Sequence, residues 1–79
     1  MNRSQVLSQV QDIFRDILDE DELVLTETST AEEVDGWDSL THIQLVVAIE
    51  NHFKFKFTSK EILSWKNVGE MIDSIQSKI

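Results

Sequence analysis

"DGWDSLTHIQLVVAIE", residues 35–50, decides how this chain is read. Leu40, Ile43, Val46, Val47, Ile49 and, just beyond the stretch, Phe53 recur at three- and four-residue steps, the spacing of an amphipathic helix. In front of that pattern stands Asp38, whose carboxylate suits an N-cap because it accepts from the free N–H groups of a first helical turn. The spacing therefore predicts a helix from about Ser39 to Phe53. Between the cap and the first apolar residue sits one hydroxyl, Ser39, just after the turn-forming pair Asp35 and Gly36. It has no obvious catalytic partner in the sequence.

Upstream, Val6, Leu7, Val10, Ile13, Phe14, Ile17 and Leu18 form an earlier helical stripe, with Asn2 and Gln5, or Ser4 alone, placed to cap its start. The acidic run Asp19 to Glu22 ends that stripe. Residues 23–38, "LVLTETSTAEEVDGWD", read as an ordered loop with room for one short helical turn. Five apolar side chains (Leu23, Val24, Leu25, Val34 and Trp37) are expected to pin it, which a disordered segment would not need. Downstream, "FKFKF" (53–57) alternates as a strand does. A lone short strand has nothing to pair with, so the expectation is a helix end and an extended connection with two Phe rings turned inward. Thr58 and Glu61 make a capping-box pattern for a short helix bearing Ile62 and Leu63. Asn67 and Glu70 repeat it before a last stripe, Val68, Met71, Ile72, Ile75 and Ile79, and Trp65 between the two is expected to plug the end of the core. No Pro and only two Gly interrupt these patterns. The fold class is all-α: one domain, residues 1–79, a small bundle of three long helices and one short helix.

Size and composition exclude much. A chain of 79 residues buries only about 60–65% of its unfolded surface, which leaves little room for a deep enclosed active site. Without Cys there is no disulfide, no thiol nucleophile and no Cys-based metal site. The longest apolar run, Leu45 to Ile49, is far too short to span a membrane, and Ser4, Gln5, Ser8 and Gln9 break any signal-peptide core. A cytoplasmic protein without membrane insertion is expected. The net charge is −8 and unevenly spread: residues 12–38 hold eleven acids against Arg15, whereas residues 50–79 hold four acids and five bases. Nucleic acid would be repelled by such a surface. A basic protein surface would be attracted, chiefly as salt-sensitive steering.

Specific chemistries fail on spacing. A calcium loop begun at Asp19 and Asp21 would need an oxygen ligand at 23, Gly at 24 and Glu at 30, where the chain has Leu23, Val24 and Thr30. His42 and His52 alone do not make a zinc site, so no metal is expected. Ser39 and His42 share a helix face, but there is no nucleophile elbow, oxyanion site or walled pocket, and both histidines read as ordinary surface or boundary side chains. An enzyme is therefore not expected. A helix N-terminus does favour an anion, so Ser39 is well placed to carry a phosphate-linked group. The alternative is that Ser39 merely caps the helix.

The triplet Asp38-Ser39-Leu40, after an acidic loop and before an amphipathic helix, resembles the acyl carrier protein family. The likeness covers nearly the whole chain in length, acidity, helix order and the late "NVGEMIDSI" segment (67–75). The resemblance implies that Ser39 receives 4′-phosphopantetheine from coenzyme A, with Asp38 and Leu40 completing the attachment motif. A separate magnesium-dependent phosphopantetheinyl transferase would perform that step, so Ser39 needs no base of its own. The arm would supply the thiol that the chain lacks.

Family roles also imply partners: the transferase, and acyl-loading and acyl-using enzymes with basic docking surfaces, all meeting a monomer. Leu40, Gln44, Val47 and Asn51 lie along one side of the second helix and, with Asp35 and Glu50, would form the docking face. Val47 should then be exposed. Ile43, Val46, Ile49 and Phe53 should join Ile62, Met71, Ile72 and the first helix in the core. An acyl chain would pass between the second and third helices near Val46, Ile49 and Ile62. In one respect the chain departs from carriers of general fatty-acid synthesis. Thr41, His42, Ile43 and Gln44 follow the triplet, Glu50 is the first acid after Asp38, and Lys54, Lys56 and Lys60 come next. That pattern looks more like carriers of dedicated pathways, such as polyketide-like, aminoacyl or cell-surface acylation systems. The competing reading is an acidic helical interaction module with no covalent group.

Overall fold

Four helices, α1 (Arg3–Leu18), α2 (Ser39–Phe53), α3 (Ser59–Ser64) and α4 (Val68–Gln76), make up the regular structure of the computed structural model, which describes residues 1–79. Each starts on a side-chain cap. Asn2 accepts from the Gln5 N–H while the Gln5 side chain accepts from the Asn2 N–H. Thr58 and Glu61 exchange the same pair of bonds at α3. Asn67 accepts from the Glu70 N–H at α4. These bonds satisfy N–H groups that a helix start otherwise leaves unpaired. α1 and α2 both end on a non-glycine residue in the left-handed region, Asp19 (φ 55°) and Lys54 (φ 64°).

Packing is carried by three of the helices. Val6, Val10 and Phe14 of α1 meet Leu45, Val46 and Ile49 of α2 and Val68, Met71, Ile72 and Ile75 of α4. Burying side chains of this size stabilises by about 1.5–3 kcal/mol each, so the core rests on these helices. α3 buries none of its residues.

The connection between α1 and α2 is an ordered loop, and Leu25, Val34 and Trp37 pin it to the core. Leu23 is half-buried, but Val24 is 70% exposed and does not serve as an anchor. A helical turn lies at Thr30, whose carbonyl accepts from the Glu33 and Val34 N–H groups. The loop also docks on the start of α4. Ser29 O accepts from the Val68 N–H at 2.9 Å, and Glu27 O accepts from the Gly69 N–H at 2.7 Å. A Cβ on Gly69 would stand 2.9 Å from that Glu27 oxygen, so only glycine allows this approach. Arg3 closes the same corner, donating to Glu27, Asp73, Gln76 and the Gly69 carbonyl.

One sequence expectation about α2 changes. Ile43, expected in the core, is 55% exposed, and Leu45 is fully buried instead. The helix carries two apolar stripes: Leu40, Ile43 and Val47 face outward, while Leu45, Val46 and Ile49 face in. The spacing read from the sequence runs both sides together and passes over Leu45, because periodicity alone does not say which side meets α1. In the segment after α2, Phe57 is buried and Phe53 and Phe55 are half-buried. Their rings pack in series, Phe53 on Phe55 at 6.0 Å, Phe55 on Phe57 at 4.8 Å and Phe57 on Trp65 at 4.7 Å, and no strand forms. Trp65 packs half-buried against the core and donates its indole N–H to Ser74 Oγ at 2.8 Å.

Candidate functional site

Ser39 is exposed at the first position of α2. The turn before it depends on Gly36, whose φ of 85° suits a residue without Cβ. Asp38 then caps the helix: its Oδ1 accepts from the N–H groups of Leu40 at 3.0 Å and Thr41 at 2.9 Å. Thr41 completes the cap in reverse. Its hydroxyl accepts from the Asp38 N–H at 2.8 Å and donates to the Gly36 carbonyl at 2.7 Å. The Thr41 N–H above all, with its hydroxyl and the Leu40 N–H, holds the Asp38 carboxyl below the usual carboxylate range. Asp38 and Thr41 thus share the capping, and the Ser39 hydroxyl takes no part in it.

Beside Ser39 opens an apolar groove of about 350 Å³. Ala31 and Trp37 of the loop, Asp38, Ser39, His42 and Ile43 at the start of α2, and Ile62, Leu63, Trp65 and Lys66 on the α3 side line it. Of the expected acyl-lining residues only Ile62 is here. Val46 and Ile49 are packed in the core, because α2 turns their stripe toward α1. Ile43, which was expected to be buried, is a wall of the groove instead.

Of the expected docking residues, Asp35, Leu40, Gln44, Val47 and Asn51 are exposed. Glu50 is not presented in this way. Its side chain is only 10% exposed; one carboxylate oxygen accepts from the Phe57 N–H at 2.7 Å and the other lies 3.8 Å from Lys56. It is spent on fixing the chain after α2.

His42 is more than a boundary side chain. Its Nδ1 accepts from the Trp37 indole N–H at 3.1 Å, and its Nε2 lies 3.3 Å from the Ile62 carbonyl. The ring stacks on Trp37 at 6.0 Å and meets the Trp65 ring edge-on at 5.8 Å. With both nitrogens engaged elsewhere, His42 does not serve Ser39 as a base. His52 bonds instead to Gln9. No cluster of three or more His, Asp or Glu is placed to hold a metal ion, and no helix is long and apolar enough to cross a membrane.

Comparison with known proteins agrees with this geometry. Residues 8–75 match the family model described as the phosphopantetheine attachment site. An acyl carrier protein of Thermosynechococcus vestitus is 35% identical, with the match covering 100% of this chain and 98% of that one. One from Thermotoga maritima is 28% identical over 99% of this chain and 96% of its own length. Among solved structures, the solution NMR structure of holo acyl carrier protein from Geobacter metallireducens superposes with a TM-score of 0.85 at 42% identity, covering 91% of this chain and 83% of that one. A match along nearly the whole chain in sequence and in fold leaves one conclusion: the chain belongs to the acyl carrier protein family, it is a carrier rather than an enzyme, and its cofactor is covalently attached 4′-phosphopantetheine.

Proposed function

We propose that Ser39 is the residue that carries the phosphopantetheine arm. The observation behind this reading is the division of roles at the start of α2, where Asp38 and Thr41 make the cap and leave the exposed Ser39 hydroxyl outside it. The site fits the group in two ways. The hydroxyl is open to a transferase, and a helix N-terminus tolerates a phosphate. The arm supplies the thiol, and hence the thioester chemistry, that a chain without cysteine cannot.

The remaining roles fall to the protein's own side chains. Asp38 and Leu40 complete the attachment motif, while Asp35, Leu40, Gln44, Val47 and Asn51 form an exposed docking face for the transferase and for acyl-loading and acyl-using enzymes. The acidic stretch from residue 12 to 38 favours basic surfaces on those partners. We infer a cytoplasmic monomer, because Ser39 and the outward stripe of α2 must be reachable together. The cargo we infer is an acyl or aminoacyl group of a specialised pathway rather than of general fatty-acid synthesis. The support is an α2 with no acid before Glu50, followed by Lys54, Lys56 and Lys60.

Intact mass after incubation with coenzyme A, magnesium and a broad-specificity phosphopantetheinyl transferase tests the assignment. The wild type should gain one phosphopantetheine and Ser39→Ala none, with unfolding curves that nearly coincide because the cap is untouched. An unmodified but folded wild type would point instead to an acidic interaction module.

A further inference from the structure

From Ser39 to Gly69 the charge of the chain changes sign: Lys54, Lys56, Lys60 and Lys66 stand against only two acids, Glu50 and Glu61. Neither acid offsets the first three lysines well. Glu50 is turned inward onto the Phe57 N–H and reaches only Lys56, at 3.8 Å. Glu61 is committed to the Thr58 N–H and to Lys78 at 3.0 Å. Lys54 and Lys60 are exposed with no carboxylate partner, and the Lys56 side chain is 83% exposed. At the end of α2 these lysines border an open hollow of about 360 Å³, lined by Glu50, Asn51, Lys54, Phe55 and Lys56.

Stability does not account for the lysines. Lys54 sits at φ 64°, where glycine or asparagine is the less strained choice. Lys60 is the second residue of α3, where the helix dipole opposes a cation. Departures from local preference of this kind are expected where a side chain serves binding. Asn51 lines the hollow and also belongs to the docking face of α2, so the two surfaces are continuous.

We propose that the end of α2 is a second docking point, where Lys54 and Lys56, with Lys60 at the rim, receive carboxylate side chains of a partner enzyme lying along α2. The inference rests on the docking face described under the proposed function and adds the chemistry of its far end. The partner then meets the acids before Ser39 with basic groups, and these lysines with acidic groups about 20 Å further along the helix. Two signs at a fixed separation select one orientation, because reversed docking sets like charge against like. Side-chain carboxylates suit the hollow better than a phosphate polymer or an anionic membrane, since the net charge of −8 repels any extended anionic surface.

The test follows backbone amides by NMR while hexaglutamate is added at low salt to the protein before it is loaded with phosphopantetheine. The amides of Asn51, Lys54 and Lys56 should shift and saturate, hexaglutamine should leave them unmoved, and about 0.15 M salt should weaken the binding several-fold. Lys54→Gln and Lys56→Gln should each weaken it several-fold. Lys66→Gln, the same change in net charge on the groove beside Ser39, should leave it nearly unchanged. All three positions are exposed, and matching urea unfolding curves will show that the variants fold. The proposal is overturned if hexaglutamate moves none of these amides, or if Lys66→Gln weakens binding as much as Lys54→Gln does. It is equally overturned if inorganic phosphate or phosphatidylglycerol vesicles shift the same amides at lower concentration, which would mark a phosphate site. Shifts at these amides on concentrating the protein alone would instead make a second copy of the chain the occupant. Loading at Ser39 is read separately by intact mass. A protein that loads but ignores hexaglutamate loses only the second docking point, whereas one that binds it without loading loses the Ser39 assignment and keeps the carboxylate site.

Discussion

α3 and α4 follow one another in the chain and start on similar side-chain caps, yet the protein uses them in opposite ways. α4 buries Val68, Gly69, Met71, Ile72 and Ile75, whereas no residue of α3 is fully buried and Ile62 packs only half-buried against the core. The caps are not the difference, since Thr58–Glu61 is the more complete of the two. The apolar spacing is. Ile72 and Ile75, with Val68 and Met71, stack one turn above another on a single side, while Ile62 and Leu63 are adjacent and point apart, leaving Leu63 85% exposed. A cap begins a helix, but only a stripe fastens it. The weakly fastened helix forms one wall of the groove beside Ser39, in line with the general use of less stable elements where a structure must open.

The contrast can be broken at its strong side first. Ile72→Ala, at a site with no exposure, should lower unfolding free energy by about 2–5 kcal/mol, measured by urea titration. A loss comparable to that of an exposed position would mean that α4 is not the fastener described above.

A smaller, pH-dependent effect should appear in acid. Arg3 holds the Glu27 carboxyl below its usual range, and the Thr58 N–H, with Lys78, does the same for Glu61. Carboxyls depressed in the folded protein add stability that is complete above the ordinary carboxylate range of about 4. That stability is lost as pH falls through their lower folded values. Stability should accordingly stay level from neutral pH to about 5 and then decline. Arg3→Met should lose stability at neutral pH and show a shallower acid decline, and an unchanged slope would separate Glu27 from the effect.

The smallest effect belongs to α3. Leu63→Ala should change stability by less than about 0.5 kcal/mol, because that side chain is already in water. A larger cost would show that the wall is fastened after all.

The helices, their caps and the place of Ser39 were legible because each is written within a few residues: Asn2 with Gln5, Thr58 with Glu61, Asp38 ahead of the α2 pattern. What was not legible depends on orientation or on distant partners. The apolar spacing of α2 takes in Ile43 and passes over Leu45, and only packing against α1 decides which is buried; the same packing holds Val46 and Ile49 in the core, away from the groove lining. Glu50 looks like a surface acid until the chain turns back and offers it the Phe57 N–H. Thr41 was missed as a capping partner because the capping box is usually sought as Glu or Gln. The role of His42 needs Trp37 from the loop and Ile62 from another helix, and no periodicity brings those together. The pair Trp37 and His42, five residues apart across a helix start, was the available signal.

The lining of the groove also has an optical consequence. The chain has two tryptophans and no tyrosine, and both Trp37 and Trp65 lie on that groove. One indole N–H is bonded to His42 and the other to Ser74. Near-ultraviolet emission therefore arises almost entirely from this one place, so the unlabelled protein carries a built-in fluorescent gauge of whatever occupies or opens the space next to Ser39.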